Sequence, residues 1–246
     1  MSGGEGLRGG GVEAGLPARQ VHSGALAMLS RSAAAHRDTV FFVGAVVVPL
    51  AVFTALGIAF AGRGAHGWDG DVVRFVERHY RESVAARLNL VLKVGIGLGA
   101  AIWIGAVVVL VRMRRKLHAL FWMVAVGGVL ALDLPLKEIF HRPPLGDQGG
   151  GYSFPSGNAM ASVAIVAALV LTSPPRWRRR VLALGVPLVV AYGVLLVVQS
   201  WHYPSDIVAG WCFALAWAAG LWLVLRRATT TNMTRGKISS TRVSSE

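Results

Sequence analysis

Two short polar motifs in this sequence combine residue types that can bind and attack a phosphate group. The first is the run from Tyr152 to Asn158, Tyr-Ser-Phe-Pro-Ser-Gly-Asn, and the second is His-Tyr-Pro-Ser-Asp from His202 to Asp206. A helix that begins at Pro-Ser-Gly offers free backbone N–H groups to an anion. His202 and Asp206 are four residues apart, so on one helical face the carboxylate can orient the imidazole. The pair indicates a histidine nucleophile, and the alternative is an interfacial histidine beside a helix-capping aspartate.

Further candidates for phosphate binding lie in and before the first motif. Lys137 follows Asp133 by one helical turn, so it is either a lysine with a structural partner or a cation for phosphate oxygens. Arg142 precedes two prolines that stiffen its loop, and an arginine can bind phosphate with a bidentate fork. Ser156 and Gly157 would form a phosphate cradle, although Pro-Ser-Gly alone is more often an ordinary helix cap.

The elements that must position these residues are predicted to be membrane helices. The chain of 246 residues is 54% hydrophobic and 15% charged, with a mean hydropathy of +0.55, whereas soluble domains carry ~25% charged residues. Several apolar runs approach the ~20 residues of a bilayer-spanning helix. We predict an all-α, polytopic membrane protein with a six-transmembrane-helix bundle, whose spans fall near 40–61, 94–111, 117–136, 155–171, 181–198 and 207–225.

The spans predict one membrane domain, residues 39–227, between two disordered cytoplasmic tails, residues 1–38 and 228–246. The first tail lacks the apolar core and cleavage site of a signal peptide. Between the first two spans, apolar residues recur at helical spacing from Trp68 to Arg87, which predicts an amphipathic helix on the outer surface. The single cysteine, Cys212, lies in an apolar run, so we expect neither an internal disulfide nor a cysteine metal site.

The net charge of +13 is distributed as expected for membrane topology rather than for nucleic-acid binding. Basic clusters lie at 112–116 and 176–180, between apolar runs, where such residues mark the cytoplasmic side. With both termini in the cytoplasm, 17 of the 25 basic residues fall inside. The motifs around Lys137, Ser156 and His202 then face the extracytoplasmic side of the cell (inner) membrane.

The order Lys137…Arg142-Pro, then Pro-Ser-Gly, then His-Tyr-Pro-Ser-Asp resembles the type 2 phosphatidic acid phosphatase superfamily over roughly residues 68–225. The resemblance implies six transmembrane helices and removal of phosphate from lipid phosphates or pyrophosphates without a metal or other cofactor. It also implies that His202 forms a phosphohistidine and that Asp206 orients it. Phosphate would be bound by a set of five residues: Lys137, Arg142, Ser156, Gly157 and Asn158.

Three positions depart from the family pattern. The second motif of the family ends in a histidine that protonates the leaving group, but this chain has Asn158, whose amide is no general acid. The arginine expected six residues before the nucleophile is Leu196, and the first motif has Pro144 where its arginine normally stands. His141 and Asp147, on the same loop, are candidates to replace the missing acid.

These features leave three functional hypotheses. The first is a membrane phosphatase that hydrolyses a lipid phosphate or a polyprenyl pyrophosphate, with membrane lipids as its other partners. A pyrophosphate fits Asn158 better, because its leaving group is a phosphate of low basicity. The second is a catalytically impaired member that binds a lipid phosphate or a protein partner. The third is a lipid phosphotransferase that passes the phosphate from the histidine to an alcohol.

Overall fold

The computed structural model of the chain describes residues 40–41, 43–79, 82–145 and 151–243, and within these ranges it contains seven helices and no strand. The side chains of 82–86 and of 228–243 lie outside the description. The helices are α1 (Val43–Phe60), α2 (Gly67–His79), α3 (Glu82–Arg112), α4 (Lys116–Phe140), α5 (Gly157–Thr172), α6 (Pro175–Val198) and α7 (Pro204–Val243). The expected tail 1–38 lies outside the described residues.

Five of these helices are long and apolar enough to cross a membrane: α1, residues 87–112 of α3, α4, α6 and residues 204–227 of α7. The prediction of a polytopic helical protein is therefore confirmed. The remaining apolar helix, α5, has 16 residues and is about 24 Å long, shorter than the hydrocarbon core of a bilayer. The count of six spans stays a prediction.

The short helix α5 is the central element of the bundle, and it packs against α3, α4, α6 and α7. Its inward positions Ala159, Ala164 and Ala168 are fully buried, and such small residues let neighbouring helices approach closely. Met160 joins Trp122 and Val129 of α4 in the largest core cluster. This packing fixes the beginning of α5, where the Pro-Ser-Gly motif lies.

Two helices differ from the expected bounds. The surface helix α2 ends at His79, and the residues from Glu82 onward already belong to α3, which begins well before the apolar span. Helix α7 continues to Val243, beyond the end of the expected sixth span and into the segment that we expected to be disordered. Helices α3 and α7 both extend past their apolar parts, because hydropathy marks the membrane-crossing residues rather than the ends of a helix.

The polar motifs and the basic clusters lie at opposite ends of the bundle. The end of α4 and the beginnings of α5 and α7 meet at one end, where the Ser156 N–H donates to the Asp206 carbonyl over 3.2 Å. The basic residues lie at the α3–α4 turn and in the first turns of α6. The second cluster is therefore helical, rather than in the loop that we expected.

Candidate active site

His202 lies in the turn before α7, and Asp206 lies in the first turn of that helix. Pro204 occupies the first helical position, where its missing N–H costs nothing. The Tyr203 N–H donates to Asp206 Oδ2 over 3.1 Å, in the manner of a capping box. The same oxygen lies 3.5 Å from His202 Nδ1. The carboxylate therefore lies against the imidazole, but His202 stands in the turn before the helix rather than on the shared helical face that the i, i+4 spacing predicts.

Arg142 is fully buried and holds the other oxygen of this carboxylate. Its Nη1 donates to Asp206 Oδ1 and to Ser205 Oγ, each over 2.6 Å. Its Nε donates to the Arg63 carbonyl over 3.2 Å, and its Nη2 donates to Asp69 Oδ2 over 2.7 Å. We expected this arginine to bind phosphate, but the protein itself supplies acceptors for four of its five N–H groups.

Asp69 of α2 is the partner that the sequence analysis missed. Its side chain is fully buried; Oδ1 accepts from the Ser205 N–H over 2.9 Å, and Oδ2 accepts from Arg142 and from the Ser205 hydroxyl. A signal was present in the sequence, because Asp69 shares one helical face with Val73 and Val76, which are buried and half-buried. An acidic residue on the apolar face of an amphipathic helix indicates a buried ion pair.

Tyr203 completes the enclosure of this network. The Arg142 guanidinium stacks on its ring, with 3.8 Å from Cζ to the ring centroid, and lies 4.7 Å from the centroid of Phe60. Burial raises the pKa of the Tyr203 hydroxyl; the Arg142 charge partly opposes this shift, and the Asp206 and Asp69 charges reinforce it. Tyr203 therefore stays neutral at physiological pH and acts as an aromatic wall for the guanidinium.

The beginning of α5 forms the second part of the site. The Ser156 hydroxyl caps the helix by accepting from the Ala159 N–H over 3.3 Å, so its side chain has the ordinary capping role. Gly157 and Asn158 are the first two residues of the helix, and the helix itself uses neither of their N–H groups. Those two donors are what α5 can offer to an anion.

Asp133 and Lys137 of α4 lie directly beside this helix start. Lys137 Nζ donates to Asp133 Oδ2 over 3.1 Å, so the cation is paired as its spacing predicts. A Cβ at Gly157 would lie 2.6 Å from Asp133 Oδ1, and this close approach requires glycine. Asp133 Oδ1 is itself buried and has no hydrogen-bond partner among the described residues. The structure therefore brings Lys137 and the Gly157 backbone together, with a carboxylate between them.

Asn158 is half-buried and lies at one end of an apolar groove of about 350 Å³. The groove runs between α3, α4, α5 and α6, and its wall includes Gly99, Trp103, Leu130, Ile165 and Tyr192. From Asn158 to Val166 it follows α5 for about 12 Å. An aliphatic chain fits such a lining, and the polar residue at its end adjoins the helix start.

The other positions singled out in the sequence are Leu196, His141 and Asp147. Leu196 is fully buried and packs with Leu92, Ala159 and Ile207, so an apolar contact replaces the family arginine. His141 ends α4 in a left-handed conformation with φ of 49°, is exposed, and contacts the Tyr152 ring at 4.7 Å between centroids. Asp147 lies outside the described residues.

A comparison with protein families gives the arrangement its context. A sequence model described as the PAP2 superfamily matches residues 94–230, which is more than half of the chain. The chain belongs to the PAP2 superfamily. The resemblance inferred from the motifs is thereby confirmed.

The fold of this PAP2 protein is similar to a solved structure described as the first transmembrane PAP2 type phosphatidylglycerolphosphate phosphatase from Bacillus subtilis. The similarity has a TM-score of 0.59 at 17% identity and covers 76% of this chain and 97% of that one. No curated protein matches the chain. Family and fold together identify an integral membrane protein of phosphatase type.

Proposed function

We propose that this PAP2 protein hydrolyses a lipid phosphate, and preferably a polyprenyl pyrophosphate, through a phosphohistidine at His202. The observation that carries the proposal is the fixed Asp206 carboxylate, with one oxygen held by Arg142 and the other 3.5 Å from His202 Nδ1. A carboxylate in this place holds the Nδ1–H tautomer and leaves Nε2 as the nucleophile. The gap is slightly longer than a hydrogen bond, and such contacts tighten when substrate binds.

The reaction balances as two displacements at phosphorus. Nε2 of His202 forms a bond to the terminal phosphorus while the P–O bond to the leaving group breaks. Water then attacks the phosphohistidine and releases inorganic phosphate, and the imidazole is restored. With a polyprenyl pyrophosphate the leaving group is a polyprenyl phosphate of low basicity, so Asn158 at the position of the family acid is less limiting than it is with a phosphate monoester.

The phosphate is proposed to lie at the start of α5, bound by the N–H groups of Gly157 and Asn158, with Ser156 shaping the cradle and Lys137 supplying charge. Arg142 is assigned to Asp206 instead, because its donors already have protein acceptors. The groove that begins at Asn158 would take the lipid chain.

The proposed orientation places this site on the extracytoplasmic face of the cell membrane and both termini in the cytoplasm. One observation supports it. The basic clusters lie at the end of the bundle opposite to His202, and basic residues favour the cytoplasmic side.

A second candidate function is lipid-phosphate binding with little or no turnover. It is favoured by the cations: Lys137 is paired with Asp133, and Arg142 is buried in its own network.

Phosphate release by the purified protein in detergent separates the two functions. The phosphatase proposal expects release from a polyprenyl pyrophosphate to exceed release from phosphatidic acid and to disappear in His202→Ala. Equal or inverted rates on the two lipids would remove the support for a pyrophosphate substrate. Release that is the same in His202→Ala would exclude the nucleophile, and tight binding without release would favour the second function.

A further inference from the structure

Helix α2 carries a fully buried carboxylate although most of the helix is exposed. Trp68 and Phe75 on the same helix have exposed fractions of 47% and 61%, whereas Asp69 has none. Burying a charge is unfavourable unless it is paired and hydrogen-bonded. Asp69 meets this condition through Arg142 and through both polar groups of Ser205, which precedes Asp206 in the chain. The surface helix therefore reaches the first turn of α7.

The two terminal nitrogens of Arg142 bind two different carboxylates, those of Asp206 and Asp69. An arginine beside a single carboxylate commonly binds both oxygens with two parallel hydrogen bonds. Here Nη1 donates to Oδ1 of Asp206 and to Ser205 Oγ, and Nη2 donates to Asp69. Asp206 Oδ2 is left for the Tyr203 N–H and for the side facing His202. Without the charge of Asp69, the guanidinium is free to close on both oxygens of Asp206.

We propose that Asp69 is a positioning residue: it holds one arm of the Arg142 fork and so keeps Asp206 Oδ2 available to His202. The proposal rests on the proposed function, in which His202 is the nucleophile. It gives α2 a part in the reaction, because Val73 of that helix also packs on Tyr203 and Leu145. Seating of the surface helix is thereby linked to the orientation of the histidine.

Asp69→Asn tests this with the shape of the side chain preserved. An amide has one acceptor oxygen and a donor NH₂ group, so it cannot accept from both the Ser205 side and the Arg142 side. Asp71→Asn is the matched control, since Asp71 lies on the same helix, is exposed, and pairs with Arg74 at the surface. With farnesyl pyrophosphate in detergent micelles as substrate, we expect Asp69→Asn to lower kcat about 10- to 100-fold with little change in KM, as for a misplaced catalytic group. We expect Asp71→Asn to match wild type.

A readout that does not need turnover separates this proposal from the proposed function. In protein labelled with ¹⁵N-histidine, His202→Gln assigns the His202 resonances. We expect the Nδ1–H tautomer in wild type and Asp71→Asn, and a mixture of tautomers in Asp69→Asn. A wild-type protein that releases no phosphate but shows this difference contradicts the phosphatase and supports the positioning role. Identical His202 resonances and equal kcat in Asp69→Asn and Asp71→Asn would overturn the role of Asp69.

Arg142→Lys provides the second comparison. Lysine has a single ammonium nitrogen, so it cannot rearrange to bind both oxygens of Asp206 with two parallel hydrogen bonds. We expect kcat of Arg142→Lys and of Asp69→Asn/Arg142→Lys to agree within about twofold, so that the effect of losing Asp69 depends on the fork. This comparison also serves if Asp69→Asn alone does not fold. A further drop of tenfold or more in the double variant would mean that Asp69 supports the fold generally, and the proposal would fail.

Discussion

The Arg142 guanidinium donates from Nη1 to Asp206 Oδ1 over 2.6 Å, and both side chains are fully buried. The contact joins the loop after α4 to the first turn of α7, across 64 residues of sequence. The Ser153 N–H donates to the Arg142 carbonyl over 2.9 Å, so the segment before α5 is tied to the same point. One arginine thus connects three of the segments that form the site.

Replacing Arg142 with alanine should strongly destabilise the protein. The change leaves two buried carboxylates, Asp69 and Asp206, without their shared cation, and breaking a buried ion pair typically costs about 3–5 kcal/mol. Arg74→Ala is the control, because it removes an arginine from an exposed pair with Asp71, and exposed pairs contribute little. Thermal unfolding in detergent measures both. Equal melting temperatures for the two variants would contradict the structural role of Arg142.

The change from glycine to alanine at two helical positions should alter stability in opposite directions. Gly97→Ala should stabilise the protein and Gly157→Ala should destabilise it. A Cβ at Gly97 meets nothing within 4 Å among the described residues, and alanine in a helix is favoured over glycine by about 0.5–1 kcal/mol. At position 157 the Cβ would clash with Asp133 Oδ1 at 2.6 Å, and such overpacking costs about 1–3 kcal/mol. We expect Gly157→Ala to lower both the melting temperature and phosphate release. A Gly157→Ala protein as stable and active as Gly97→Ala would refute the close contact.

Asn158→His should raise the rate of phosphate release. General acid catalysis is worth about 10²- to 10⁴-fold, and position 158 lies in the first turn of α5, beside the proposed phosphate. The gain should be larger on phosphatidic acid than on a polyprenyl pyrophosphate, because the poorer leaving group needs the proton more. Initial rates on both lipids measure this ratio. No gain would show that the absence of an acid does not limit the reaction, and an equal gain on both substrates would show that the histidine does not act by protonating the leaving group.

Filling the groove between α3 and α6 should weaken binding of long-chain substrates. Gly99 lines the groove and its Cβ would lie 3.4 Å from Ile165, whereas a Cβ at Gly97, two residues earlier on α3, would meet none of the described residues within 4 Å. We expect Gly99→Leu to raise KM for a long polyprenyl pyrophosphate while leaving kcat/KM for a short-chain analogue unchanged, with Gly97→Leu as the control. A KM that does not depend on chain length in Gly99→Leu would place the lipid chain elsewhere.

The sequence predicted the membrane helices well because burial in lipid demands long apolar runs. The span within α4, for example, was expected at 117–136, and the helix is Lys116–Phe140. The pairing of Lys137 with Asp133 follows from spacing along one helix, and the approach of Asp206 to His202 follows from the short turn before α7. Local periodicity carries this information, so each pair could be predicted without knowledge of the fold.

Contacts between distant segments could not be obtained in the same way. The partners of Arg142 lie 63 to 79 residues away, on α2, on α7 and after α1. The position of Arg142 in its motif predicted that it binds phosphate. Only the packing of α2 against the start of α7 shows that its N–H groups donate to Asp69 and Asp206 instead. The contact of Asp133 with Gly157 is likewise a product of how closely α4 and α5 pack.

The most direct test of the proposed phosphatase is whether a phosphoryl group becomes attached to His202. The purified protein is mixed with a polyprenyl pyrophosphate labelled in its terminal phosphate, quenched rapidly with alkali, which preserves phosphohistidine, and analysed by peptide mass spectrometry. We predict label on the peptide that contains His202 in the wild-type protein. In His202→Ala we predict no label, together with loss of phosphate release. Steady phosphate release by His202→Ala at the wild-type rate, with no labelled histidine in either protein, would contradict the mechanism.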